Sequence, residues 1–328
     1  MLAFAMQIIV AQETFRFQDE ESSRITIKEG ESRVLTYQYA NIVHSNVPEN
    51  DKRREAGCYI HPLYGLYGEV LTDNAPKDHF HQHGVFWVWP HVVVHEPDGK
   101  RTRHNMWEAT TSLKQHHIRF LKQDTTDGSA ILSVENGWFV GDPKNNEKMM
   151  SETVTITVHR VKKESDGLKG RAIDFDFLWI PTEHPISLQG AEGKSYGGLA
   201  VRLRPFVAEG KTQAEPNAIN TITVPSGIAK GDLPDTPLAW TDYTSQFGAK
   251  LPDGTPLRTG LAIFVPRSHP DFPPTWLTRY YGPLCVGWPG VKGRQFQKGE
   301  EIRLSYRIWV HDAPVSVEKI EDVYKQFH

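Results

Sequence analysis

"ETVTITVHRV", residues 152–161, is followed nine residues later by "RAIDFDFLWI", residues 171–180. Val154, Ile156 and Val158 alternate with threonines in the first segment, and Ile173, Phe175 and Phe177 with aspartates in the second. A period of two puts every second side chain on one face, as in a strand with one buried and one solvated side. The connector "KKESDGLKG", residues 162–170, is rich in turn formers, so the two segments read as neighbouring strands.

The same signal recurs along the chain. "RITIKEG" (24–30), "RVLTYQYANI" (33–42), "GVFWVWPHVVV" (84–94), "AILSVENGWFV" (130–140), "GGLAVRLRP" (197–205), "NTITVP" (220–225), "GLAIFVP" (260–266) and "EIRLSYRIWVHD" (301–312) are rich in Val, Ile, Thr and aromatics. "EPDGK", "TTDGS", "LPDGTP" and "FQKGE" supply turns between them. "PFVAEGKTQAEPNA", residues 205–218, reads as a long surface loop. The one good helix candidate is the tail "VSVEKIEDVYKQFH", with Val317, Ile320 and Tyr324 at helical spacing and Ser316 placed as N-cap.

Strands do not alternate with helices, and neither GxGxxG nor a Walker loop is present, which argues against a doubly wound nucleotide-binding fold. The expected architecture is all-β: a large antiparallel β-sandwich forming a single domain over residues 12–328, with one short C-terminal helix.

Composition is that of an ordinary globular protein, 38% hydrophobic and 23% charged. A net charge of -3 argues against a general nucleic-acid binder, and no apolar run is long enough to span a membrane. The opening "MLAFAMQIIVA", residues 1–11, resembles the core and cleavage end of a secretory signal, although a basic start is missing. Periplasmic or secreted localisation is the expectation; if the segment is instead a first strand, the protein is cytoplasmic. Cys58 and Cys285 could be joined in an exported protein or stand as two buried thiols, and the sequence leaves both open.

Chemistry concentrates in "PKDHFHQHG", residues 76–84, within a region where nine of the 15 histidines lie between His61 and His117. On a strand, His79, His81 and His83 would share one face, and that face would continue into Trp87 and Trp89; Pro76 and Asp78 suggest a loop instead, which would break the alternation. Imidazoles and indoles side by side suit sugar rings, with plain core packing as the rival for the tryptophans. A divalent metal on His79, His81 and His83 is the alternative, with Glu69 or His61 completing the shell. Without metal, a histidine serves as proton shuttle, its neighbours keeping it neutral.

Further candidates lie downstream. Arg202 and Arg204 follow Tyr196 and a Gly-Gly pair, and an arginine can clamp a uronate carboxylate. "RSHPDFPPTWLTRYYGP", residues 267–283, is expected to be a loop rimming the site, with Trp276, Arg279 and Tyr281 facing the ligand. No GxSxG elbow occurs, and neither cysteine stands in a pattern with histidine that suggests a thiol nucleophile. Glu135 is the carboxylate singled out for inspection, while Asp174 and Asp176 are expected to be structural.

Together, "YIHPLYGLYGEVLTDNAPKDHFHQHGVFWVW" (59–89), "YGGLAVRL" (196–203), "AWTDYT" (239–244) and "HPDFPPTWLTRYYG" (269–282) resemble the bacterial PmoA-like domain family of unknown function, often labelled "methane oxygenase PmoA". The similarity runs from about residue 25 to about residue 312. It implies an exported β-sandwich, in bacteria that degrade polysaccharides, with motif histidines corresponding to His61, His79, His81 and His83. Gln82 stands where the family often has a further histidine. A methane-oxidising membrane subunit is not implied, for want of a membrane-spanning run.

The leading expectation is a carbohydrate-active enzyme of lyase, epimerase or hydrolase type. Its catalytic residues would be His81 (central), His79, His83 and His61; its substrate contacts Trp87, Arg202, Tyr196, Trp276, Arg279 and Tyr281. A metal-dependent enzyme with His ligands and a non-catalytic glycan-binding module are the rivals.

Overall fold

The computed structural model describes residues 14–109, 111–164 and 166–327. The signal-like segment 1–11 therefore lies outside the described residues.

Two large antiparallel sheets dominate. In the ten-stranded sheet, Lys148–His159 and Lys169–Pro181 are adjacent, pairing Val154 with Phe177 and Ile156 with Phe175. Their burial alternates as the sequence pattern requires, with threonines outward and Val154, Ile156, Phe175 and Phe177 inward. Leu113–Thr125 and Ser129–Val140 extend this sheet on one side; Ile302–Asp312, Thr259–Phe264 and Trp240–Ser245 extend it on the other. The nine-stranded sheet runs from Phe15–Glu20 through Ser32–Gln38, Tyr59–Leu63, Val85–Val88, Gly198–Arg202 and Pro283–Gly287 to Leu233–Pro237. Inner faces of both sheets meet in one core, where Ile27, Leu35, Trp87, Leu199 and Val286 pack with Val154, Ile156, Phe177 and Ile308. Each such side chain, fully buried, contributes roughly 1.5–3 kcal/mol.

One carboxylate sits inside this core. Glu152 is fully buried, and every partner of its two oxygens is an N–H donor. Trp87 Nε1 (2.9 Å), Asn136 Nδ2 (2.8 Å) and Gln115 Nε2 (3.2 Å) reach Oε1. Trp138 Nε1 (2.9 Å), Trp179 Nε1 (2.8 Å) and Gln115 Nε2 (2.9 Å) reach Oε2. The indole of the nine-stranded sheet is thereby tied to the ten-stranded sheet through a polar node.

The nine-stranded sheet also has an apolar outer face. Ala200 lies opposite Phe86 on one side and Cys285 on the other, and Cys285 lies opposite Leu277, so the four form a row across four strands. Tyr59 and Trp107 join that row. The functional site is built on this outer face.

On the far side of the molecule the helix Val317–Lys325 begins where expected, with the Ser316 hydroxyl accepting from Lys319 N. Ile320 and Tyr324 pack on Trp240, Phe264 and Trp309. Among the described residues no helix is long and apolar enough to cross a membrane.

One expectation is corrected and two open choices are resolved. Residues 267–283 are not wholly a loop: Thr275–Thr278 is a strand of the nine-stranded sheet, paired with Pro283–Gly287. Residues 76–84 are not a strand but a turned excursion that ends at Val85. Cys58 and Cys285 are free and buried, with no bridge between them.

Candidate functional site

The histidine segment leaves the nine-stranded sheet as a short hairpin. Gly84 N donates to Asp73 O (2.9 Å), Asn74 and His83 form an antiparallel bridge, and Ala75 N donates to Gln82 O (2.9 Å). Two successive turns close the tip, through His79 N to Pro76 O (2.9 Å) and Gln82 N to His79 O (3.0 Å). The hairpin returns so close to its neighbour that a Cβ at Gly84 would meet Ile60 O at 1.8 Å. Only glycine fits there.

Turns do not keep a period of two, so the three imidazoles separate. The His79 ring stacks on Tyr281 (5.1 Å between centroids, 9° between planes), with Nδ1 2.9 Å from Asp78 Oδ2. His83 points inward onto Tyr59 and stacks on His44 at 5.0 Å; its Nδ1 donates to Asn74 Oδ1 (2.8 Å). His81 alone turns toward Trp107, at 6.3 Å, and its buried Nδ1 has no hydrogen-bond partner. His61 lies farther back, its Nδ1 accepting from the Thr72 hydroxyl (3.0 Å).

Arg202 holds this hairpin in place. Its Nη1 donates to Gln82 Oε1 (2.9 Å) and its Nη2 to Asp78 Oδ1 and Oδ2 (3.1 and 2.9 Å). The guanidinium lies 4.8 Å above the Tyr281 ring. The carboxylate it clamps belongs to its own chain.

His81, His83, Tyr59, Phe86, Trp107 and Gln115 line a small pocket of about 60 Å3 on the outer face of the sheet. Trp107 packs on Phe86 at 5.1 Å and on Tyr196 at 4.5 Å, giving an aromatic wall. At the mouth, Lys114 Nζ pairs with Glu55 Oε2 at 3.4 Å, and Arg53 is held by Asp51. Gln115, at the floor, joins the cavity to the core through its bonds to Glu152.

Burial governs the charge of the imidazoles. It pushes His81 down to about 4, helped by His79, Arg53 and Arg202, and His61 to about 4, helped by His44 and Arg204. His83 falls well below its ordinary value through burial and then through His44, His81 and His61; burial also lowers His44. Near neutral pH these rings are uncharged acceptors and bases.

A metal ion does not fit the three candidate ligands. His79 is committed to Asp78 and Tyr281, and His83 to Asn74 and His44. Among the described residues no group of three or more His, Cys, Asp or Glu could hold one. Glu69, named as a completing ligand, instead takes the Tyr67 N–H (3.0 Å) and is raised by burial.

The structure brings His81 and His83 to one cavity, packs Tyr196 on the Trp107 that walls it, and sets His79, Arg202 and Tyr281 behind it as a scaffold. It does not bring Trp87, Trp276 or Arg279 there. Trp87 faces inward to Glu152, because the turns before Gly84 break the alternation that would have carried the histidine face into the strand. Trp276 is likewise inside the core, donating to Leu238 O (2.8 Å), and Arg279 pairs with Asp232 (3.0 Å). Glu135 is neutralised between Arg119 (2.8 Å) and Lys148 (3.2 Å), and Asp174 is gripped by Arg307. His44, Trp107 and Gln115 were not evident in the sequence. The one available signal was a tryptophan in "HNMWEATT" (104–111), a stretch without strand periodicity.

A family profile matches residues 24–325. The chain belongs to DUF6807, a family of unknown function. That description carries no PmoA-like label. No curated protein matches the chain. Among solved structures, the α-galactosidase from Lactobacillus brevis is similar at 9% identity and a TM-score of 0.29, over 93% of this chain. The chain spans 39% of that protein's length, and a likeness this low carries no argument.

Proposed function

We propose that this DUF6807 protein binds a carbohydrate against Trp107 and transforms it with His81 as general base. One observation carries the reading: an uncharged imidazole with an unpartnered buried nitrogen stands beside an aromatic wall, in a pocket that opens into a cleft of ligand size. Aromatic faces accept the apolar faces of sugar rings, and the cleft, about 830 Å3, falls within the roughly 300–1,000 Å3 of small-molecule sites. Among the described residues Glu55 is the one carboxylate lining the cavity, and it is tied to Lys114. Paired carboxylates, the usual apparatus of glycoside hydrolysis, are thus missing from the lining. Of the three expected reaction types, lyase or epimerase chemistry, which begins with proton abstraction, is favoured over hydrolysis.

The test is a screen of mono- and oligosaccharides for binding, then for turnover by product absorbance and NMR. Trp107→Ala is expected to abolish binding. His81→Asn is expected to abolish turnover while shifting Tm by less than about 3 °C, within the range for a residue outside the core. Binding without any product would make the protein a glycan-binding module; absence of binding across the panel would defeat the proposal. We also propose that the protein is exported, supported by residues 1–11. Cell fractionation with N-terminal sequencing of the recovered protein checks this.

A further inference from the structure

The cavity beside His81 opens into a larger cleft. The second space, about 830 Å3, shares Asn41, Glu55, Ala109 and Lys114 with the first. A space of this size suits one drug-sized ligand, which is larger than a single sugar ring. The inner space carries the aromatic wall, whereas the outer one has no aromatic ring but His116 and combines charged side chains with Val43, Ala109 and Pro143.

The charges of the outer cleft are of both signs. Lys52, Arg54 and Lys114 face Glu49, Asp51, Glu55 and Asp142, one more acid than base. His116 adds no charge near neutral pH, since burial lowers its pKa. A surface of this kind supplies donors and acceptors for hydroxyl groups but no net positive field to concentrate a polyanion. Arg202, the arginine suited to a uronate, already has both terminal nitrogens engaged by Asp78 and Gln82.

We infer that the ligand is an extended, neutral oligosaccharide laid along the outer cleft, its end reaching the small pocket at Trp107, rather than a single sugar or a polyuronate. This rests on the carbohydrate reading above. The Lys114–Glu55 pair stands at the junction of the two spaces, where the end of the oligosaccharide would pass.

Titration calorimetry with neutral oligosaccharides of one to six units, and in parallel with oligogalacturonates, tests it. The neutral series is expected to gain about tenfold or more in affinity from one unit to four. The double variant Glu49→Ser, Lys52→Ser changes two exposed residues of opposite sign, so folding is retained. It is expected to erase most of the gain with length and leave single-unit affinity unchanged. Binding of single sugars with no gain on lengthening overturns the inference and leaves the carbohydrate reading intact. Tighter binding of oligogalacturonates, with steep dependence on salt, also overturns it. No binding in either series removes both.

Discussion

Replacing Trp87 by Phe separates a core indole from a ligand-facing one. The substitution deletes the N–H that reaches Glu152 Oε1 at 2.9 Å, a hydrogen bond to a buried carboxylate. Bonds to charged groups contribute about 1.5–3 kcal/mol each. The smaller ring also leaves a void of order 40 Å3, which at about 24 cal/mol per Å3 adds about 1 kcal/mol. The expected loss is therefore about 2.5–4 kcal/mol, a substantial share of the roughly 5–15 kcal/mol that holds a domain folded. Glu152→Gln should lose more. It places an NH2 group where up to three N–H donors converge, and a buried carboxylate without a neighbouring cation depends on those donors to offset its desolvation, several kcal/mol. Urea unfolding followed by intrinsic fluorescence is the assay. With a slope of about 3 kcal/mol per M, the Trp87→Phe midpoint should fall by about 1 M. The double variant should lose less than the sum of the singles, since both remove the same contact. An unchanged midpoint with lost sugar affinity would refute the reasoning and return Trp87 to the binding site.

Two further outcomes follow from the site. His61, His81 and His269 are each lowered to about 4 by burial, so between about pH 6.5 and 4 they take up protons in the unfolded chain but not in the folded one. Stability should therefore be complete above pH 6.5 and fall as acid is added, by up to about 1.4 kcal/mol per pH unit for each histidine; a midpoint flat across that window in urea titrations would contradict it. Asp78→Asn leaves Arg202 buried opposite a neutral amide and should loosen the hairpin. The expected readout is faster amide hydrogen exchange at residues 75–83 with little change elsewhere, and exchange that stays uniform would show the clamp to be idle.

Most of the fold was legible because its main strands bury one face and solvate the other. The segments 152–161 and 171–180 announce their partners by periodicity alone, and Ser316 marks its helix because hydroxyl capping is a local interaction. The site was legible only as a neighbourhood. His81 could be named from its block of histidines, but turns at the hairpin tip set the directions of His79, His81 and His83, and no periodicity encodes them. Hence Trp87 was expected on the wrong face. Arg202 was expected to await a ligand's carboxylate when Asp78, 124 positions earlier, already supplies one. Trp107 and His44 reach the cavity by long-range packing, which leaves no trace in their own surroundings in the chain.

Val85–Val88 is a strand of four residues with an errand on each side. Val85 and Trp87 belong to the core, Phe86 to the wall of the cavity, and Val88 also lines that cavity. Such a strand acts as a partition: changes at 86 and 88 alter what the cavity admits, while 85 and 87 stay fixed by the demands of folding. Variation among proteins of this architecture, or in a designed library, can thus be confined to alternate positions of the partition to retune ligand choice without renegotiating stability.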